Sequence, residues 1–151
     1  MRIVVQRVTR ASVEIDGVVV GSIDSGLLLL IGIEPSDTED DIARAVEKVG
    51  NLRVFSDEAG QMNRSLLETG GSALVVSQFT LLGDLHRGRR PSFVGAAPPQ
   101  QAESMVDRFV DGLRNSGVHV ETGVFGASMS VELVNSGPVT ILLEIRDGRV
   151  T

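Results

Sequence analysis

The first third of the chain alternates apolar and polar residues in the manner of β-strands. Residues 3–8 (IVVQRV) are rich in β-branched side chains, and residues 12–23 (SVEIDGVVVGSI) place Asp16-Gly17 between two alternating runs, which is typical of a tight β-hairpin. Residues 26–33 (GLLLLIGI) are almost continuously apolar, which predicts a strand buried on both faces. The pattern therefore predicts three strands before residue 34.

Two later segments have the periodicity of helices. Ile42, Val46 and Val49 recur at helical spacing behind four carboxylates in residues 37–41, and acidic residues favour a helix N-terminus. The second segment has six apolar residues at the same spacing and Gly117 in the place of a C-terminal cap. These six residues are Ala102, Met105, Val106, Phe109, Val110 and Leu113. Strand patterns return at residues 52–55, 118–125, 127–134 and 138–145.

The order of the elements predicts the fold class. Strands, helix, strands, helix and strands follow one another without a repeat or a low-complexity linker, so we expect a single α+β domain over residues 1–151. Its sheet is expected to be curved, barrel-like and mostly antiparallel, with two main helices packed on it and a short exposed tail from about residue 147. Because such a strand-rich sheet has edges or faces to cover, a second copy of the chain is an economical partner.

Composition narrows the possible functions. The absence of cysteine excludes disulfides and thiolate zinc sites, and no apolar run approaches the ~20 residues of a membrane span. The first ten residues lack the pattern of a signal peptide, so a cytoplasmic protein without a membrane partner is expected. The net charge of −6 argues against broad binding to nucleic acids such as DNA.

One basic cluster departs from this acidic background. Arg87, Arg89 and Arg90 lie within four residues. The cluster is either a solvated loop or a small patch that faces an anion, and such a patch suits one end of a nucleic acid better than a long duplex.

Most familiar catalytic signatures are missing. The chain has no G-x-S-x-G, P-loop or H-E-x-x-H motif, and its two histidines, His86 and His119, are far apart in sequence. No spacing indicates a metal site. An enzyme with this sequence is therefore expected to act without a side-chain base, a metal or another cofactor.

Polar residues interrupt the apolar run of residues 70–84. Ser77, Gln78 and Thr80 stand among aliphatic residues and Phe79. In one interpretation the strand lies at a sheet edge, where Gln78 and Thr80 face solvent. In the other, the segment forms a cleft wall whose backbone N–H groups meet a ligand oxygen, as in an oxyanion hole.

A second unusual pair, Gly137-Pro138, stands between two predicted strands. A hairpin turn is the ordinary explanation. The alternative is a cis peptide bond that projects carbonyl oxygens into a site.

These two stretches carry a resemblance to a known family. SQFTL at residues 77–81 and NSGPVT at residues 135–140 resemble the signature stretches of the D-aminoacyl-tRNA deacylases, the family of D-tyrosyl-tRNA deacylase. Residues 6–13, 51–66, 88–93 and 121–129 are similar to further segments of the family. The similarity therefore runs nearly from end to end.

The resemblance implies a homodimer that hydrolyses the ester between a D-amino acid and the terminal adenosine of tRNA. Mischarged glycyl-tRNA is a second implied substrate. L-aminoacyl-tRNA is excluded because a cis Gly137-Pro138 pair of one subunit reaches into the pocket of the other.

The resemblance also assigns roles to residues. It places Arg7 in support of the Gly-Pro pair, and Phe125 and Met129 around the terminal adenine. The implied pocket strand consists of Ser77, Gln78, Phe79 and Thr80.

Elementary chemistry agrees with a site of this kind, because an aminoacyl ester is already activated toward water. We expect backbone N–H groups of residues 78–80 to stabilise the oxyanion, with help from the neighbouring ribose hydroxyl of the substrate. Thr80 as a covalent nucleophile is the rival hypothesis, although it lacks an adjacent base in sequence. A non-catalytic module of the same fold, which binds a tRNA end or a synthetase, is the alternative function.

Overall fold

The computed structural model describes all 151 residues, which form nine strands and three helices. The helices are α1 (Glu39–Asn51), α2 (Leu66–Thr69) and α3 (Pro99–Asn115). The strands are β1 (Arg2–Ile15), β2 (Val18–Ile23), β3 (Gly26–Gly32), β4 (Phe55–Ser56), β5 (Met62–Arg64), β6 (Ser72–Ser77), β7 (His119–Thr122), β8 (Ser130–Arg146) and β9 (Arg149–Val150). The α+β class and the two main helices are confirmed.

Seven of the strands form one curled sheet in the order β7-β6-β3-β1-β8-β9, with β2 paired to β1. Strand β1 is its centre, because β3 and then β2 pair along one side of it and β8 pairs along the other. These pairings are antiparallel, whereas β6 runs parallel to both β3 and β7. The sheet is therefore mixed, with antiparallel pairs in the majority, and β4 and β5 form a separate small ribbon.

Each face of the sheet carries its own apolar cluster. The larger cluster lies under α1 and α3 and includes Leu143 and Ile145 of β8. The smaller cluster lies on the opposite face, where Val131 and Leu133 of the same strand pack against it. One strand therefore supplies both cores, and the long apolar run of β3 is explained by burial on both faces.

Local chemistry fixes the ends of the elements. Asp16 and Gly17 both have positive φ, 50° and 81°, which confirms the predicted tight turn. Thr38 caps α1 through a capping box with Asp41, whose carboxylate also accepts the Gly148 N–H at 2.9 Å. Burial opposes ionisation of Asp41, but the hydrogen bonds from Gly148 and Thr38 outweigh it, so its pKa lies below the ordinary 3.8.

Four strand predictions need correction. Of residues 52–55, only Phe55 lies in a strand, and of residues 118–125, only His119–Thr122 do. Residues 127–134 and 138–145 belong to one strand, because β8 stays paired to β1 on both sides of Gly137-Pro138. The exposed tail is a hairpin, since a turn at Asp147-Gly148 returns β9 onto the end of β8.

None of the three helices combines the length and the apolar composition that crossing a bilayer requires.

Candidate active site

Strand β6 ends at Ser77, in the interior of the sheet between β3 and β7. The Gln78 N–H makes the last sheet hydrogen bond, to Ile31 O at 2.7 Å, and the chain then turns into a 3-10 helix at Phe79–Leu82. A Cβ on Gly32 would lie 3.2 Å from Gln78 O and 3.3 Å from Leu81 Cβ, so glycine allows the turn to pack against β3. The edge-strand interpretation is wrong, because Gln78 and Thr80 lie beyond the strand and share no strand face.

A cavity of about 480 Å³ opens where β6 ends. Eleven of its 15 lining residues are hydrophobic, which suits a flat, apolar group such as a nucleobase better than a phosphate. Five predicted site residues line it: Ser77, Gln78, Phe79, Phe125 and Met129. The structure thus brings together two segments that are almost fifty residues apart in sequence.

The opposite wall was missed at the sequence level. Ala96, Ala97, Pro99 and Ala102 line the cavity from the start of α3. The Ala97 N–H donates to Ile33 O at 2.9 Å, which holds this wall beside β3. The only sequence signal was the run of small residues at 95–97, whose lack of bulk leaves the cavity open.

Two backbone donors beside the cavity have no acceptor. The Gln78 N–H is used by the sheet and the Leu81 N–H bonds Gln78 O at 3.1 Å, but the N–H groups of Phe79 and Thr80 make no hydrogen bond within the protein. Arg2 anchors the 3-10 turn, because its Nη1 donates to Leu81 O at 3.0 Å. The Nε of Arg2 lies 3.1 Å from Oε1 of Glu144, and this ion pair positions the guanidinium group. Adjacent free donors on a fixed turn can stabilise an oxyanion.

The Thr80 hydroxyl does not form part of a nucleophile–base pair. It lies outside the residues that line the cavity, and its side-chain hydrogen bond is the one donated by Gln78 Nε2. Activation of a hydroxyl nucleophile requires a base within hydrogen-bond reach, and an amide N–H is not a base.

Neither histidine lines the cavity. His86 Nδ1 lies 2.6 Å from Asp84, and His119 Nε2 lies 3.0 Å from Glu121. The two hydrogen bonds that the His86 backbone and ring give to Asp84 lower the pKa of that carboxyl group.

Gly137-Pro138 forms a bulge within β8 and not a hairpin turn. Gln6 pairs with Thr140 and Val8 with Asn135, so four residues of β8 face the single residue Arg7. The Gly137-Pro138 peptide bond is cis, and both residues are exposed.

Arg7 holds this bulge to the body of the protein. Its Nε donates to Ser136 O at 3.1 Å and its Nη1 donates to Val54 O at 2.6 Å. Gly137 has a φ of +126°, and an added Cβ would lie 2.8 Å from Arg7 Nη2. The bulge residues do not line the cavity of their own chain. Within a single subunit, Gly137 and Pro138 are therefore exposed and are not part of the site.

Comparisons with known proteins agree with this geometry. The family model described as D-Tyr-tRNA(Tyr) deacylase matches residues 4–144. Proteins named D-aminoacyl-tRNA deacylase from Thermomicrobium roseum and Thermus aquaticus are 58% and 56% identical to the chain. The alignment covers 98% of both chains in the first case and 95% of both in the second.

Two solved structures share the fold. One, named c-Myc DNA Unwinding Element Binding Protein, has a TM-score of 0.92 at 42% identity and covers 97% of this chain and 99% of its own. The other, described as a probable eukaryotic D-amino acid tRNA deacylase, has a TM-score of 0.82 at 20% identity over 95% and 98% of the two chains. With the family model and these relatives aligned over nearly all of its length, the chain belongs to the D-Tyr-tRNA(Tyr) deacylase family.

Proposed function

We propose that the protein hydrolyses the ester bond of D-aminoacyl-tRNA and releases a free D-amino acid and tRNA. The observation that carries the proposal is the pair of free N–H groups at Phe79 and Thr80, beside an apolar cavity in a chain of this family. A tRNA substrate belongs to translation, so the protein acts in the cytoplasm.

The adenosine of the tRNA 3′ end occupies the cavity between Phe125 and Met129. The ester carbonyl then lies at the 3-10 turn, where the Phe79 and Thr80 N–H groups bind the oxyanion that forms on attack. Water supplies the attacking oxygen, with assistance from the neighbouring ribose hydroxyl. The water loses a proton, the bond between the acyl carbon and the ribose oxygen breaks, and the ribose oxygen leaves with a proton. No step needs a metal, a cofactor or a side-chain base.

A second copy of the chain completes the site. Leu142 is 60% exposed although it lies within β8. Val4 of β1 pairs with Leu142 on one side and with Leu30 of β3 on the other, so the three residues lie side by side on one face of the sheet. Covering this apolar face with its equivalent in a twofold dimer removes it from water. The dimer brings the Gly137-Pro138 bulge of one subunit to the cavity of the other.

The bulge sets the selectivity. Backbone that is held by Arg7 cannot move aside as a side chain can, so it excludes an L side chain strongly. By comparison, a hydrophobic pocket discriminates between substrates that differ by one methylene only about 10–200-fold. Glycine carries no side chain and passes the wall. Glycyl-tRNA is therefore a substrate and L-aminoacyl-tRNA is not.

The decisive experiment compares purified protein on D-tyrosyl-tRNA, L-tyrosyl-tRNA and glycyl-tRNA in the presence of a chelator. Hydrolysis of the D and glycyl esters alone is the expected result. Comparable rates on the D and L esters would refute exclusion by the bulge. A Thr80→Ala variant that binds tRNA normally but loses nearly all activity would restore the covalent nucleophile.

A non-catalytic module that binds a nucleic-acid end is the second candidate. It is favoured by the solved structure at 42% identity whose name describes a DNA-element binding protein. Binding of deacylated tRNA or DNA without any hydrolysis of D-tyrosyl-tRNA would select this alternative.

A further inference from the structure

The strongest unassigned feature is the arginine loop, residues 84–92. Nine of the 14 Lys and Arg side chains donate to a carboxylate or to another oxygen of the protein, and five have no such partner. Three of these five are Arg87, Arg89 and Arg90, all exposed. In a protein with a net charge of −6, three of the five basic side chains that have no partner in the protein thus lie within four residues.

The loop is closed and attached at the edge of the cavity. Asp84 and Ser92 exchange two backbone hydrogen bonds, of 2.7 and 3.0 Å, which join its two ends. The Phe93 ring that follows lies edge-on to Phe79 of the cavity wall, with ring centroids 5.0 Å apart and planes at 78°. Since no arginine is more than three residues from Asp84 or Ser92, each backbone position lies within about 11 Å of that closed stem.

The cavity itself has no comparable charge. Its lining residues are apolar or neutral, so it offers no charged side chain to a phosphate group. A nucleic acid whose terminal nucleoside fills the cavity nevertheless carries phosphates immediately outside it. Guanidinium groups recognise such phosphates well, because their planar donors match the phosphate oxygens.

We propose that the arginine loop binds the phosphodiester backbone of the unpaired 3′ end of the nucleic-acid substrate, next to the nucleotide held in the cavity. This inference rests on the proposed function, because it takes the cavity as the site of the terminal nucleoside. The loop supplies affinity and alignment for a phosphate-bearing substrate and takes no part in ester cleavage.

The test replaces Arg87, Arg89 and Arg90 together by Gln and measures kcat/KM on D-tyrosyl-tRNA and on D-tyrosyl-adenosine, which has no phosphate. We expect kcat/KM on D-tyrosyl-tRNA to fall relative to kcat/KM on D-tyrosyl-adenosine. We also expect the tRNA reaction to lose salt dependence: three single-strand phosphate contacts weaken binding about 20-fold between 50 and 200 mM salt. A triple Lys variant keeps the charge and should retain most of this dependence.

A matched control replaces Arg10, Arg44 and Arg108 by Gln, which changes the net charge equally in three exposed ion pairs away from the loop. The control variant should remain folded, since exposed ion pairs contribute only about 0–1 kcal/mol to stability. It should also keep the salt dependence of the parent protein and its ratio of kcat/KM on D-tyrosyl-tRNA to kcat/KM on D-tyrosyl-adenosine.

The outcomes separate the two proposals. If the parent protein cleaves neither substrate, the proposed function is wrong. If it cleaves both but the loop variant keeps the salt dependence, or loses both substrates equally, the arginine loop does not bind the backbone and the deacylase function stands.

Discussion

The role of the free backbone donors can be tested at Phe79, because proline removes an N–H and alanine does not. Phe79→Pro and Phe79→Ala both delete the ring, and with it a contact to Phe93 worth about 0.5–1.5 kcal/mol. Only the proline variant also deletes the N–H that has no acceptor within the protein. The difference between the two variants therefore isolates one donor.

The fold should accept the proline. Phe79 is the first residue of the 3-10 helix, where proline is favoured and its missing N–H breaks no hydrogen bond. Gln78, with φ −143° and ψ 73°, lies outside the helical region that a following proline disfavours. We expect similar thermal unfolding of the two variants.

The expected loss is large. Removing one oxyanion donor costs about 2.7–4 kcal/mol of transition-state stabilisation, so kcat/KM of the proline variant on D-tyrosyl-tRNA should lie about 100- to 1000-fold below that of the alanine variant. The measurement is single-turnover hydrolysis alongside tRNA binding, which should change little. Equal kcat/KM for two equally folded variants would refute the main-chain oxyanion hole.

Three further changes probe other parts of the structure. Gly137→Ala places a Cβ against Arg7 in a residue with a φ of +126°. We therefore expect the protein to be about 1–3 kcal/mol less stable and to select less strongly for D over L substrates. An unchanged ratio of D to L rates would contradict the role of the bulge in excluding L side chains. Leu142→Glu puts a charge into the proposed dimer face and should shift light-scattering mass to the monomer, whereas the equally exposed Val18→Glu should not. Asp41→Asn should lower the free energy of unfolding at pH 7 by about 1–2 kcal/mol. Because the pKa of Asp41 is lowered on folding, this deficit should shrink as the pH falls below about 4, and a deficit independent of pH in chemical unfolding would contradict the hydrogen-bonded carboxylate.

The sequence predicted those elements whose signals are local. Asp16-Gly17 gave the first hairpin, and the carboxylates before Ile42 gave α1, because turn chemistry and helical periodicity act within a few residues. Gly117, with φ +97°, follows the end of α3 as expected.

The rest depended on contacts between distant segments. Nothing near Ser77 shows that β6 is an interior strand, because that follows from its pairing with β3 and β7. The role of Ala96 and Ala97 as a cavity wall likewise depends on the approach of α3 to β3. The Gly137-Pro138 bulge escaped a local prediction, since only its pairing to β1 distinguishes a bulge from a turn.

That bulge also decides which way the residues of β8 point. In an unbroken strand, odd-numbered residues would all lie on one side, yet Val131 and Leu133 pack into one core while Leu143 and Ile145 pack into the other. The odd number of extra residues opposite Arg7 inverts the alternation halfway along the strand. Deletion of any single residue from 136–139 would turn one half of β8 inside out, so the segment proposed to read handedness is also the one that keeps the two cores in register.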